Sequence, residues 1–311
     1  MKTRFILTLA ILTTLCLAAC RKTQDEPNRT NYAHERMTFW TNDSLLDDIH
    51  KRDSLRTHIE DELRKLPNDE QSEQRLHILA SLVELCRIGL DFEGAMNYCM
   101  EGTSLAAQMG NDEMNAFFQN NMGDMFFDAE ELSEASAQYE NACKLLENKT
   151  DARLMKTFSL YALDMYEFEF QLMQYDAALK YIKEAIEHID KSYAADKNVW
   201  TETEYDSIHA TALIDMARLL ARIDRKEEGR TYYEQFLQSD FAKTNEGIYL
   251  EIRYLDRDKD WEKALERYSV LEERVDTIHT YNSVTAFLPR LRFLKVRILT
   301  GLERWKECCE A

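Results

Sequence analysis

The chain has 311 residues, 39 Lys and Arg against 57 Asp and Glu, and a net charge of −18. Its eight glycines and three prolines fall far below the roughly 12% of average usage, too few turn formers for an all-β sandwich or barrel. The acidic balance excludes nucleic-acid binding by this region, because neutralising phosphates needs clustered Lys and Arg.

The first segment is an address. Lys2 and Arg4 precede an apolar run from Phe5 to Leu17, the pattern of a secretory signal and shorter than the about 20 residues of a membrane-spanning helix. Leu17-Ala18-Ala19-Cys20 resembles the lipobox of bacterial lipoproteins. That resemblance implies that residues 1–19 are a signal peptide and that Cys20 is lipidated and holds the protein on the bacterial cell envelope, on its periplasmic or surface side. An ordinary secretory signal or an uncleaved anchor are the alternatives. Residues 20–42 lack a sustained period and read as a flexible tether.

From Asp43 the apolar residues take helical spacing. Leu45, Leu46, Ile49, Leu55, Ile59, Leu63 and Leu66, ended by Pro67, predict an N-terminal helical segment over residues 43–67. A phrase then recurs: an apolar, aromatic or long residue, two mostly polar residues, a small residue, and an aromatic three or four later. It is seen at Phe92-Glu93-Gly94-Ala95 with Tyr98, Leu132-Ser133-Glu134-Ala135 with Tyr139, and Tyr175-Asp176-Ala177-Ala178 with Tyr181. It returns at Lys226-Glu227-Glu228-Gly229 with Tyr233, Trp261-Glu262-Lys263-Ala264 with Tyr268, and Trp305-Lys306-Glu307-Cys308. The small residues are 40, 43, 51, 35 and 44 apart, which marks an internal repeat.

These residues resemble tetratricopeptide (TPR) repeats. The best copy joins Gly123 and Phe126 on one helix to Ala135, Tyr139 and Ala142 on the next. The resemblance implies an all-α fold: a right-handed α-solenoid of antiparallel helical hairpins over residues 68–311, with about six repeats, the last incomplete. The chain is accordingly expected to continue past Ala311. Tyr166 and Ile252 fill slots that the family gives to small residues, Lys191–Glu204 reads as an insertion, and Gly247 as part of a connecting segment.

The seven histidines are scattered, without a metal-ligand spacing, and there is no Gly-rich phosphate loop or nucleophile elbow. Asp256-Arg257-Asp258-Lys259-Asp260 imitates a calcium loop, but Trp261 stands where the turn needs Gly. The expectation is therefore no enzyme, no cofactor and no metal. Cys86 and Cys99 fall on the two helices of the first hairpin and read as small core residues, with a bridge between them as the alternative. Asp43-Ser44-Leu45, Asp53-Ser54-Leu55, Asp206-Ser207-Ile208 and Asp276-Thr277-Ile278 resemble an O-glycosylation signal of exported bacterial proteins, and each also suits a helix start.

In the TPR family the first helix of each hairpin lines the concave groove that holds a peptide. Carried onto this chain, the slots fall at Glu84 and Arg87, then Asn120, Asp124, Phe127 and Asp128, then Asp164, Glu167 and Phe170. Downstream they become Arg218 and Arg222, Arg253 and Arg257, and Arg290 and Arg297. The groove would be acidic and aromatic early and basic late, suited to a carboxylate-bearing protein or peptide. Solvated charges paired with Asp215 or Asp256 are the competing account. Two functions remain open at this point. One is a lipid-anchored scaffold for a protein or peptide segment. The other is the extracytoplasmic sensor arm of a longer membrane-spanning histidine kinase or helix-turn-helix transcription regulator.

Overall fold

A computed structural model describes residues 49–67, 72–274 and 281–309, with side chains from residue 52 and, in the last stretch, from residue 291. The signal peptide, Cys20 and the tether lie outside the described residues. Every described element is helical. In chain order they are α1 (Ile49–Lys65), α2 (Glu73–Ile88), α3 (Phe92–Met109), α4 (Asp112–Asp128), α5 (Leu132–Leu146), α6 (Ala152–Gln171) and α7 (Tyr175–Ala195). A 3₁₀ turn at Lys197–Val199 leads to α8 (Glu202–Arg222) and α9 (Lys226–Phe236). A second, Phe241–Lys243, leads to α10 (Asn245–Asp258), α11 (Trp261–Arg274), α12 (Tyr281–Gly301) and α13 (Trp305–Cys308).

Local chemistry sets where the helices begin. The side chains of Ser72, Asp91, Asn111 and Thr244 each accept a hydrogen bond from the backbone N–H three residues on, at 2.9–3.2 Å. Such N-caps are worth about 1 kcal/mol each.

The ends of alternate helices share one geometry. Among the described residues, six non-glycine residues have positive φ: Leu90, Glu130, Met173, Asp224, Lys259 and Glu303, between 56° and 67°. They follow α2, α4, α6, α8, α10 and α12. In each case the next amide bonds five residues back, as in Asp91 to Cys86, Glu131 to Phe126 and Arg225 to Leu220, at 2.8–2.9 Å. This is the Schellman ending usually given to Gly, adopted here by side-chain-bearing residues at a cost of about 1–2 kcal/mol each. Each left-handed residue stands five positions before a small residue of the sequence phrase, Ala95, Ala135, Ala178, Gly229, Ala264 and Cys308.

The chain forms two compact units: one reaches Met165 and takes in His188–Thr201, the other joins Tyr166–Glu187 to the residues from Glu202 on. The first unit is cored by Leu76, Leu79, Val83, Cys86, Ala95, Cys99, Phe117, Phe118 and Met122. Leu55, Ile59 and Leu63 of α1 pack with Leu82, Leu85 and Ile88 of α2. The span read as an insertion is mostly ordered helix: α7 continues to Ala195, and the buried Lys156 donates to the Val199 carbonyl at 2.7 Å. The second unit is cored by Leu213, Ile214, Ala217, Tyr233, Phe236, Ile248, Ile252, Leu255, Tyr268, Leu291 and Ile298.

Two of the close approaches that glycines allow bear on the sequence expectations, and one of them is a correction. A Cβ on Gly123 would meet the Tyr139 ring at 2.7 Å. Gly247 is not a connecting residue: it is buried in the first turn of α10, where a Cβ would meet the Ala242 Cα at 2.8 Å.

Candidate functional site

The site is built in the second unit, on the end of α6, on α8 and on α10. α8 buries Leu213, Ile214, Ala217 and Leu220, which leaves Asp215, Arg218 and Arg222 on another face. α10 buries Ile248, Ile252 and Leu255. Tyr249, Arg253 and Arg257 then recur every fourth residue along one stripe of it.

Aromatic side chains underlie the arginines. Tyr166 and Phe170 have ring centroids 5.7 Å apart, and Phe170 and Tyr175 5.9 Å apart. The Arg218 guanidinium lies 5.9 Å from the Phe170 ring, Arg222 5.7 Å from Tyr175, and Arg253 5.7 Å from Tyr249. Arg222 Nε also donates to the Tyr175 hydroxyl at 2.9 Å. A cation held over a ring in this way gains about 0.5–1 kcal/mol at an exposed site.

The arginines divide by their partners. Arg218 pairs with the Asp215 carboxylate, and the Tyr166 hydroxyl donates to the Asp215 backbone carbonyl at 3.2 Å. Arg297 on α12 pairs with Asp256 at 2.6 Å. Among the described residues, Arg253 and Arg257 make no ion pair and no side-chain hydrogen bond. Burial and the neighbouring Arg218 charge lower the pKa of Arg253. Burial and the charges of Arg222, Arg297 and Arg218 do the same to Arg257. Arg218 shifts the other way: burial opposes its charge, but Asp215 and Tyr166 more than offset that. Burial pushes the Asp215 carboxyl up against the pull of Arg218 and Arg253. The outcome is a patch in which five guanidinium groups outnumber the carboxylates of Asp215 and Asp256, in a chain of net charge −18.

The structure brings Phe170, Arg218, Arg222, Arg253, Arg257 and Arg297 into this one unit, with Glu167 exposed on α6 and accepting from Gln171 at 3.0 Å. The side chain of Arg290 lies outside the described residues. Asp124, Phe127 and Asp128 belong to the first unit. Asp124 is not presented as an outward groove residue. It accepts from Arg87 Nη2 at 2.9 Å and from the Tyr139 hydroxyl at 2.6 Å, and is 9% exposed. Phe127 is half-buried and Asp128 exposed at the end of α4.

Tyr249 was missed in the sequence. Its signal was present in the four-residue recurrence of Tyr249, Arg253 and Arg257. Of the calcium-like run, Asp256 is held by Arg297 and Asp258 by Lys226 at 2.9 Å. No group of three or more His, Cys, Asp or Glu side chains among the described residues could hold a metal ion.

Comparison with known proteins adds a fold relative and no family. No family model and no curated protein matches the chain. Among solved structures, the crystal structure of BtubC (BKLC) from P. vanneervenii is similar, with a TM-score of 0.50 at 13% sequence identity, over 76% of this chain and 89% of that one. At that identity the likeness concerns the helical fold alone. No described helix is long and apolar enough to cross a membrane.

Proposed function

We propose that the chain is a non-enzymatic interaction module: a right-handed TPR-like solenoid of about six helical hairpins, lipid-anchored at Cys20 on the bacterial cell envelope, that holds an acidic protein or peptide segment. Six Schellman endings in step with six small residues support the repeat architecture. The lipobox supports the anchor and the location. The single observation that carries the binding assignment is the pair Arg253 and Arg257, partly buried among other arginines without an acidic partner. Guanidinium forks suit carboxylates, and an acidic segment relieves the mutual repulsion of the patch.

Titration of the full chain with fluorescein-labelled hexaglutamate tests this. Binding is expected to fade toward about 1 M salt, where the screening length drops to about 3 Å. It is expected to vanish in Arg253→Glu with Arg257→Glu and to persist in the control Arg225→Glu with Arg230→Glu, which lie on and before α9. Equal binding in the two double variants, with the helical circular-dichroism signal intact, overturns the assignment.

A further inference from the structure

We infer that the first unit carries a docking face of its own, formed by Leu90 and Phe92 beside Leu132, and that it takes a cationic amphipathic helix of a protein partner. This face is independent of the arginine patch. Among the described residues, the two large apolar side chains left most exposed are Leu90 and Met173, each 66%. Both stand at left-handed positions, with φ of 60°; Met173 belongs to the second unit and is not part of this face. Leu90 works against the fold twice. It accepts a backbone strain of about 1–2 kcal/mol that Gly would avoid, and it holds most of its apolar surface in water. Strain that packing does not explain points to a role outside the fold.

Packing sets a second turn alongside the first. Arg87, just before Leu90, donates from Nη2 to Asp124 on α4 at 2.9 Å, so the last turns of α2 and α4 lie side by side. Packed helices are about 8–10 Å apart, and the turns that end them share that spacing. Leu90 and Phe92 flank Asp91 at the first turn, and Leu132 opens α5 after the second. Phe92 and Leu132 are each 40% exposed. The start of α1 borders the face, where Arg52 donates to the Ile88 carbonyl at 3.4 Å and Arg56 pairs with Asp91 at 2.8 Å.

Charge decides the occupant. Glu93, Glu130, Glu131 and Glu134 stand exposed on the same two turns, and among the described residues none of them makes an ion pair. Glu93 and Glu134 lie in the first turns of α3 and α5, where the helix dipole favours an acid. Glu130 and Glu131 lack that reason: Glu130 is the left-handed residue, and the Glu131 side chain makes no capping hydrogen bond. An acidic rim repels anionic lipid headgroups and attracts Lys and Arg. Spacing then selects a helix. Residues seven apart on a helix are separated by about 10.5 Å along its axis, so apolar side chains at i and i+7 reach both turns, with i+3 and i+4 between them. An extended strand repeats one side every 6.6 Å or so, short of the turn spacing. Basic residues beside the apolar stripe meet the glutamates.

The test uses the full chain and a fluorescein-labelled helix of Leu and Lys, about 15 residues long, with leucines at i, i+3, i+4 and i+7. A scrambled peptide of the same composition, without the apolar stripe, controls for charge alone. The striped peptide is expected to bind at least about tenfold more tightly than the scramble. Leu90→Ser with Phe92→Ser and Leu132→Ser should bring it down to the scramble's affinity, and Leu237→Ser, at an exposed leucine of the second unit, should leave it unchanged. Glu130→Gln with Glu131→Gln should weaken binding and flatten its salt dependence. Leu90→Gly separates docking from folding: binding falls several-fold while the thermal midpoint holds or rises. A midpoint lowered by that substitution shows Leu90 serving the fold and overturns the inference. Equal binding of the two peptides, or full binding by the triple serine variant, overturns it too. So do anionic phospholipid vesicles that bind the parent and not the triple variant. A parent that is dimeric by light scattering, beside a monomeric triple variant, puts a second copy on the face and likewise overturns it.

Discussion

Six residues before each left-handed turn stands a charged side chain, and the two units treat it differently. In the first unit the slot holds Glu84 and Asp124; in the second it holds Glu167, Arg218, Arg253 and Arg297. Asp124 is answered completely. Arg87 reaches it from α2, Tyr139 reaches it from α5, and Arg87 is steadied by Asn121. The equivalent arginines of the second unit are answered unevenly, Arg218 within its own helix and Arg297 by its neighbour, while Arg253 has no acid. A closed network ties helices together and offers nothing to a ligand. An open one is where a ligand can add something.

The largest expected effect breaks the closed side. Asp124→Ala takes from the buried Arg87 its hydrogen-bonded counter-charge and leaves it the Glu84 charge on its own helix, and loss of one partner of a buried pair costs about 3–5 kcal/mol. Urea unfolding of the variant measures this, and a loss below about 1 kcal/mol would mean that Arg87 reaches water by a small shift. Next come two tight glycines, one taken from each unit. Gly123→Leu and Gly247→Leu should each lower stability by about 1–3 kcal/mol or more. Gly247 should be no more tolerant than Gly123, because its neighbours are the backbone of Phe241 and Ala242, which yields less readily than the Tyr139 ring. Comparing their thermal midpoints checks the order. The smallest effect lies on the open side. Arg253→Met removes a partly buried charge that has no acid, so stability should stay within about 1 kcal/mol of the parent or rise. A fall comparable to that of Asp124→Ala would place Arg253 in the scaffold rather than at a docking face.

Helical periodicity and the recurring small residues were legible in the chain because helix packing demands a small side chain at each close approach. Ala95, Ala135, Ala178 and Ala264 are all fully buried. The sign change along the slot was legible too, because charge needs no geometry to be counted. The partners of each charge were not. Asp124 and Arg253 fill the same slot, and only the packing of Arg87 and Tyr139 around Asp124 separates a tie from an open group. Gly247 misled because Asn245-Glu246-Gly247 has the composition of a loop. In the fold, Thr244 caps the helix, accepting from the Gly247 N–H at 3.0 Å, and the missing side chain lets α10 start hard against Ala242. The left-handed turns were silent for a different reason: of the residues that adopt them only Asp224 is of a type enriched at positive φ, and Leu, Glu, Met and Lys do not announce it.

Those turns also bear on how such a chain can age. Leu90, Glu130, Met173, Asp224, Lys259 and Glu303 have little in common as letters, yet they adopt one backbone shape. Each departure from Gly carries a penalty small enough for neighbouring contacts to absorb. A substitution at these sites therefore alters the written signature of the unit while its bend persists, at about 1–2 kcal/mol for a departure from Gly. Kinship between such proteins would then fade from the alphabet long before it fades from the dihedral angles.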